Sequence, residues 1–190
     1  MERVYKIFTI NPGSTSTKIA LFENETMVFS ANVSHDAAKL NEFEEIREQF
    51  PYRKETILSE LAKKNVSLEG TDAFVGRGGG LVGLVGGTYV IDETLLSHAR
   101  IGFTIKHPAT LGSQLADDFS KTYGGAAYVV NPPDVDEMDL IARVSGIREA
   151  PRESRGHPLN QKEVAIRFAR DIGKRYEDLN LVISHIGGGI

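Results

Sequence analysis

The chain has 190 residues, 41% of them hydrophobic and 25% charged, which is enough apolar material to bury the core of an ordinary domain. Its formal net charge is −4 and it contains no cluster of Lys and Arg, so a nucleic-acid partner is not expected. The absence of cysteine excludes disulfides, thiolate metal sites and a cysteine nucleophile. The apolar run at residues 7–10 is too short for a signal peptide or a membrane span, so we predict a soluble, cytoplasmic protein without a membrane partner.

The N-terminal segment predicts an antiparallel meander. β-Branched and aromatic residues favour strands at residues 4–10, 17–22 and 26–31. A turn signal at residues 11–13 ends the first strand, and a short polar turn at residues 23–25 separates the other two. Neighbouring strands with such short connections pair in the antiparallel direction.

Helices and short strands follow the meander. Apolar residues at helical spacing predict one helix that Pro51 ends, and a second helix surrounds residues 57–61. Short buried strands are predicted at residues 73–75 and 89–91, on either side of a glycine-rich stretch. The apolar residues of the first helix are Leu40, Phe43, Ile46 and Phe50.

Two further helices are predicted in the second half of the chain. Pro108 marks the first turn of one helix, and a strand follows at residues 126–130. Asn160 and Glu163 resemble a capping box at the start of the other helix, and a last strand covers residues 181–183. The predicted inner faces carry Leu111, Leu115 and Phe119 on the first helix and Val164, Phe168 and Ile172 on the second.

Residues 11–18, Asn-Pro-Gly-Ser-Thr-Ser-Thr-Lys, connect the first two predicted strands. Glycine lets the backbone approach a ligand closely, the hydroxyls of Ser14 and Ser16 donate to anionic oxygens, and Lys18 adds positive charge. The segment is not a Walker loop, because no second glycine precedes the lysine and a strand follows it. Taken alone, it is equally compatible with a phosphate-binding loop and with an ordinary polar hairpin.

Arg77 lies in the glycine-rich stretch at residues 76–87. Among small residues, an arginine is able to clamp a carboxylate or a phosphate with two hydrogen bonds. Gly78, Gly80 and Gly83 have the spacing of a dinucleotide-binding loop, but the following segment is strand-like rather than helical, so we reject that interpretation. A solvent-facing arginine in a flexible loop is the alternative.

Three histidines and one acidic loop are further candidates. His107 precedes a predicted helix N-terminus, where anions bind, although capping is the commoner role of such a residue. The acidic loop at residues 131–137 follows a strand, at an edge where open sheets place ligands. His157 precedes the last helix, and His185 precedes three glycines at 187–189 whose free N–H groups are suited to lining a phosphate.

These segments, in this order, resemble the acetate/butyrate kinase family of the sugar kinase/Hsp70/actin superfamily. Pro12 and the Gly-Arg-Gly-Gly form at residues 76–79 favour the butyrate kinase branch. The resemblance covers the whole chain, and it rests on the order of six motifs rather than on any one of them. The matching motifs are residues 11–18, 75–79, 106–108, 135–138, 142–146 and 185–189.

The resemblance implies an α/β fold of the ribonuclease H-like actin/Hsp70 type, with a mixed sheet that starts with an antiparallel meander and is flanked by helices. Residues 1–190 would form the N-terminal carboxylate kinase domain and end with the start of the second phosphate motif. We therefore expect that the chain ends in the middle of the fold and that a C-terminal adenosine-binding domain is missing. The full-length parent would be a homo-oligomer.

The resemblance also implies ATP- and Mg²⁺-dependent phosphorylation of a short-chain fatty acid, butyrate or a branched acid, to an acyl phosphate. Asn11 would order the magnesium–phosphate group, and Arg77 would hold the substrate carboxylate or the transferring phosphoryl group. The family aspartate before the proline is replaced by Asn131, so either Asp134 takes its role or no acid is needed. The other implied site residues are Ser14, Ser16, Lys18, His185, Gly187, Gly188 and Gly189 at the phosphates, with His107 and His157 lining the site.

Two alternatives remain open on the sequence alone. The chain could be a non-catalytic fragment that binds phosphate or a nucleotide, because half of such a kinase should not turn over. It could also belong to an acetate or propionate kinase of the same family, since the pocket side chains that set carboxylate specificity are not identifiable.

Overall fold

A six-stranded mixed sheet organises the computed structural model, which describes residues 3–81, 83–154 and 156–186. Its strands are β1 (Lys6–Pro12), β2 (Ser16–Glu23), β3 (Thr26–Ser34), β4 (Ala73–Gly76), β5 (Thr88–Val90) and β6 (Ala126–Val130). Their order across the sheet is β3-β2-β1-β4-β6-β5. The first three strands are antiparallel, β1, β4 and β6 are parallel neighbours, and β5 is antiparallel to β6.

The predicted meander is confirmed, and the turn between β2 and β3 is anchored to the start of the chain. Asn24 adopts a left-handed conformation (φ 52°) that asparagine tolerates well. Its side-chain Oδ1 accepts a hydrogen bond from the Tyr5 N–H at 2.9 Å, and its own N–H donates to the Tyr5 carbonyl at 2.8 Å. These bonds hold the β2–β3 turn against the start of β1.

Five α-helices are found among the described residues: α1 (Ala37–Leu40), α2 (Phe50–Lys63), α3 (Glu93–Ile101), α4 (Thr110–Tyr123) and α5 (Pro158–Asp171). The prediction that Pro51 ends a helix was wrong. Pro51 lies in the first turn of α2, where a missing N–H costs nothing because no carbonyl precedes it in the helix. The segment before it holds only α1 and a 3₁₀ turn at Ile46–Gln49.

The core lies between the sheet and helices α2 and α4. Phe8 and Phe74 of the sheet meet Phe119 of α4 at ring-centroid distances of 6.1 and 6.3 Å. Leu111 and Leu115 of α4 are also fully buried, so the predicted inner face of this helix is confirmed. This packing brings the N-terminus of α4 to the carboxyl ends of β1 and β4.

Helix α5 differs from its prediction at both its start and its face. The helix begins at Pro158 with His157 as the N-cap residue, so Asn160 is not its cap. Its buried residues are Ala165 and Ala169. The predicted inner residues are instead about half exposed: Val164 at 49%, Phe168 at 47% and Ile172 at 44%. The small alanines form the contact face, because a helix turns by about 100° from each residue to the next.

The predicted last strand at residues 181–183 was also wrong. Residues 181–186 form no helix or strand, and the Val182 side chain is 97% exposed. An apolar β-branched run needs a neighbouring strand to pair with, and none of the described strands pairs with it. Among the described residues, no helix has the length and apolar character to cross a membrane.

Candidate active site

The candidate site lies where β1 and β4 end beside the N-terminus of α4. The Arg77 N–H donates to the Ile10 carbonyl at 3.0 Å and so continues the β1–β4 ladder past the end of β4. A Cβ on Gly76 would lie 2.7 Å from the backbone nitrogen of Ser113 and closer still to the carbonyl of Gly112. Only glycine therefore allows α4 to approach the strand this closely.

The loop between β1 and β2 forms one wall of the site. The Gly13 N–H donates to the Ser16 carbonyl at 2.7 Å, which closes a tight turn that leaves Ser14 and Thr15 exposed. Asn11 and Lys18 are directly opposite each other in the antiparallel register, so their exposed side chains project from the same face. The predicted loop residues thus present an amide, hydroxyls and an ammonium group side by side.

Arg77 lies next to this loop. Its guanidinium Nη1 is 3.4 Å from Oδ1 of Asn11, a long hydrogen bond that leaves most of its donors available. Partial burial lowers the pKa of Arg77, but an arginine remains charged at neutral pH. A desolvated guanidinium of this kind attracts a carboxylate or phosphate more strongly than an exposed one.

His107 lies just before the N-terminus of α4. Its Nδ1 accepts a hydrogen bond from the Ala109 N–H at 3.1 Å, which the imidazole can do only when the Nδ1 proton is absent. Burial, followed by the charges of Arg77 and Arg53, lowers the pKa of His107. The imidazole is therefore neutral at pH 7 and carries its proton on Nε2, where it is a hydrogen-bond donor.

His157 forms a relay with two other polar side chains. Its Nδ1 is 2.9 Å from Nε2 of His185, and Nδ1 of His185 is 3.0 Å from Oδ1 of Asn160. If the amide oxygen of Asn160 accepts from His185, the His185 Nε2 accepts from His157. Burial, then the charges of Arg77, His185 and His107, lower the pKa of His157. The predicted residues Arg77, His107 and His157 are thus close enough to influence each other's charge.

The acidic loop contributes hydrogen bonds to its neighbours. Oδ1 of Asp134 accepts from the Leu81 N–H at 3.1 Å and from the Thr104 hydroxyl at 2.6 Å, and in the described part of the chain its buried Oδ2 has no partner. Asn131 has a left-handed backbone (φ 40°), and its Oδ1 accepts from the Gly87 N–H at 2.9 Å. Both side chains therefore fix the loop that follows β4 against the loop that follows β6.

Comparison with known proteins extends this description. The chain is 48% identical to butyrate kinase 2 of Clostridium acetobutylicum over 186 residues, which are 98% of this chain and 52% of that protein. It is 41% identical to butyrate kinase 1 of the same organism, again over 98% of this chain and 52% of that protein. The chain is a homologue of the butyrate kinases. It spans about half the length of the curated relatives it matches, and no family model matches it.

Solved structures agree with this assignment at the level of the fold. The acetate kinase of Porphyromonas gingivalis superposes with a TM-score of 0.60 at 15% identity, over 90% of this chain and 50% of that chain. At this identity the likeness concerns the fold only. The predicted actin/Hsp70-type α/β fold of this butyrate kinase homologue is confirmed.

Not every predicted site residue of the butyrate kinase homologue can be placed. Gly187, Gly188 and Gly189 lie outside the described residues. No group of three or more His, Cys, Asp or Glu suited to holding a metal ion occurs in the described ranges. The Oδ1 of Asn11 also faces the cationic Arg77, which does not favour a metal ion on that oxygen. The metal role of Asn11 stays a prediction, and the described residues do not by themselves fit a resident Mg²⁺.

Sequence reasoning missed a polar cluster beneath the β1–β2 loop. Arg53 of α2 is fully buried and donates hydrogen bonds to this loop, and Thr17 and His35 are buried beside it. One signal was available in the sequence. Arg53, Ile57 and Leu61 are spaced four residues apart, so the arginine occupies a core position of an amphipathic helix.

Proposed function

We propose that the protein containing this chain transfers a phosphoryl group from ATP to a short-chain carboxylate, butyrate or a branched short acid, in a reversible reaction. The observation that carries the proposal is the arrangement of Arg77, His107 and the Ser14–Thr15 loop around the ends of β1 and β4, in a homologue of the butyrate kinases. These groups supply a positive charge, a neutral hydrogen-bond donor and exposed hydroxyls at one edge of the sheet, which is what anion binding and charge stabilisation require.

ATP supplies the phosphoryl group. A carboxylate oxygen attacks the γ-phosphorus of ATP. The bond from that phosphorus to the β,γ-bridging oxygen breaks, and ADP leaves with the electron pair of this bond. A carboxylic acid is already ionised at neutral pH, so the nucleophile needs no general base. Asn131 in place of the family aspartate therefore leaves the reaction without a missing proton acceptor. The catalytic part assigned to Asp134 stays a prediction.

The roles of the site residues follow from their chemistry. Arg77 orients the carboxylate or the moving phosphoryl group and balances its charge. His107 donates from Nε2 to an equatorial phosphoryl oxygen while its Nδ1 stays bound to the Ala109 N–H. His157, held by His185, adds a second imidazole on the same side. Ser14, Ser16 and Lys18 take the remaining phosphate oxygens.

We place Mg²⁺ on the nucleotide rather than in a protein cage. Magnesium commonly keeps several waters and binds substrate phosphates, and the described residues offer no acidic cluster. Residues 187–189, by motif, would approach the same phosphates. The N-terminal domain assignment belongs to this proposal too, with adenosine binding supplied by the part of the relatives' length that this chain does not span.

The test is ADP release by the purified full-length gene product with MgATP and butyrate, with acetate and propionate assayed in parallel. We expect butyrate-dependent turnover, and Arg77→Ala should lower kcat/KM by about 100-fold or more. Arg47→Ala is the matched control, because Arg47 is an exposed arginine whose side chain pairs with Glu45 at 2.5 Å. Turnover with acetate or propionate but not with butyrate would contradict the proposed substrate. ADP release that does not depend on any added carboxylate would contradict the proposed function.

A further inference from the structure

Arg53 occupies a position where an arginine is rarely found. It lies on the buried face of α2 with a relative exposure of 0%. Burying a charge costs free energy unless it is paired or hydrogen-bonded. No ion pair with a carboxylate is formed by Arg53 within residues 3–81, 83–154 and 156–186, so its hydrogen bonds must account for its position.

Those hydrogen bonds converge on the β1–β2 loop. Nη1 donates to the Gly13 carbonyl at 2.9 Å, and Nη2 donates to the Ser14 carbonyl at 3.0 Å. Nη1 also contacts the Thr17 hydroxyl at 3.2 Å, while Nε donates to Gln49 Oε1 at 3.0 Å. The planar fork of the guanidinium therefore fixes two successive peptide carbonyls at once, which a lysine ammonium cannot reproduce.

Because the two carbonyls are fixed, the directions of the neighbouring N–H groups are fixed as well. No cis peptide bond occurs among the described residues, and in a trans peptide the N–H points opposite to the C=O. The carbonyls of Gly13 and Ser14 point down to Arg53, so the N–H groups of Ser14 and Thr15 point away from it. In the described part of the chain, neither N–H donates a hydrogen bond, and both residues are exposed.

The charge of Arg53 acts in the same direction as this geometry. Burial lowers the pKa of Arg53 to about 10, which still leaves it protonated at neutral pH. Its positive charge contributes to the lowered pKa of His107, which lies in the candidate site. The positive charge of Arg53 beneath the loop therefore also acts in the candidate site, where it would attract an anion.

We infer that Arg53 is a positioning residue, which holds the Ser14 and Thr15 N–H groups outward so that they bind the phosphates of the nucleotide. The inference rests on the proposed function, because it names the residue that shapes the loop of that site. Arg53 does not itself touch the ligand. It acts through the loop carbonyls and through its charge.

The experiment compares Arg53→Lys with the wild-type full-length protein. The lysine keeps the positive charge but loses the fork, so we expect the KM and the calorimetric Kd for MgATP to rise about 10- to 100-fold. The KM for butyrate should stay within about twofold, since the carboxylate is held elsewhere. Should Arg53→Lys fail to fold, Thr17→Val removes one of the contacts with Arg53 and should raise the same two constants by a smaller factor.

The control for simple loss of stability is Ile57→Ala, one turn further along the same buried face of α2. This variant should lower the melting temperature without changing the KM for MgATP. A folded Arg53→Lys with wild-type constants for MgATP would overturn the inference, as would an equal rise in Ile57→Ala. Calorimetry separates the two proposals: if wild type binds MgATP but phosphorylates no carboxylate, the proposed function fails while the role of Arg53 is still tested. If wild type does not bind MgATP, both fail.

Discussion

His35 should make the stability of this protein depend on pH in a way that can be calculated. Its side chain is only 7% exposed, and its Nε2 is 2.8 Å from the Thr17 hydroxyl. Because Arg53 donates to that hydroxyl oxygen, the hydroxyl proton is free to be donated to Nε2. Burial, followed by the positive charge of Arg53, lowers the pKa of His35 from 6.5 to about 4. The folded protein therefore keeps His35 neutral.

The direction of this pH dependence follows from the pH at which His35 takes up a proton in the unfolded and in the folded state. The unfolded chain binds a proton at His35 near pH 6.5, whereas the folded chain binds it only near pH 4. Between these values the unfolded state holds more protons, so the free energy of unfolding falls as the pH falls. The full shift corresponds to about 3 kcal/mol. Roughly 2 kcal/mol of it should be lost between pH 8 and pH 5.

The assay is urea unfolding at pH 8 and pH 5 for the wild type, His35→Gln and the half-exposed control His98→Gln. Carboxylates with lowered pKa values, such as Asp72 and Asp136, also make the free energy of unfolding fall in acid, but this contribution is the same in all three proteins. The difference between wild type and His35→Gln should therefore shrink by about 2 kcal/mol on acidification, and it should shrink by more than the difference between wild type and His98→Gln. An unchanged difference, or an NMR titration of His35 near pH 6.5, would contradict a lowered pKa of the buried imidazole.

Three further predictions concern the frame of the site. Gly76→Ala should lower the free energy of unfolding by about 2–3 kcal/mol, because its Cβ would overlap the backbone of α4. Gly156→Ala, whose added Cβ would meet no atom of the described residues within 4 Å beyond its chain neighbours, should be neutral in the same thermal unfolding assay. Asn131→Ala should cost about 1–2 kcal/mol by leaving the Gly87 N–H unpaired, while Asn131→Asp should keep the acceptor; urea midpoints would check both, and equal losses would contradict this role. His107→Asn keeps an acceptor for the helix N-terminus but loses the Nε2 donor, so steady-state kinetics should show kcat reduced about 100-fold at nearly unchanged melting temperature. A wild-type kcat would contradict the assignment of that donor.

Elements with strong local signals were predictable from the sequence. The meander follows from β-branched runs and short polar turns, and the buried face of α4 follows from the spacing of Leu111, Leu115 and Phe119. Helix α3 was not predicted, although its two ends are marked: the Asp92 side chain accepts from the Leu95 N–H, and Gly102 ends the helix with φ 60°. Capping residues at the two ends therefore mark a helix that the spacing of apolar residues does not reveal.

Two of the wrong predictions concern segments whose interaction partners are set by the fold and not by periodicity. Asn160 and Glu163 have the spacing of a capping box, but Pro158 begins α5 and Asn160 binds His185 instead. Residues 181–183 are apolar and β-branched, but no described strand lies beside them. A one-dimensional pattern shows that a segment is suited to pairing or burial, and it does not show what the segment pairs with.

The candidate site was predictable as a list of residues but not as a mechanism of positioning. The Asn11, Arg77 and His107 motifs could be read from the sequence, and the structure brings these residues to one edge of the sheet. The tautomer of His107 depends on the Ala109 N–H, which no motif encodes. The support from Arg53 depends on a contact across 40 residues, and such a contact cannot be inferred without the fold.

The proposed function is tested most directly by identifying the phosphorylated product. The full-length protein would be incubated with MgATP and butyrate and followed by ³¹P NMR, with hydroxylamine trapping of acyl phosphate as confirmation. We expect ADP and an acyl phosphate to appear in equal amounts, and we expect Arg77→Ala to form neither at a comparable rate. Release of inorganic phosphate without a hydroxylamine-reactive product, or no consumption of ATP, would contradict the claim that this site phosphorylates a carboxylate.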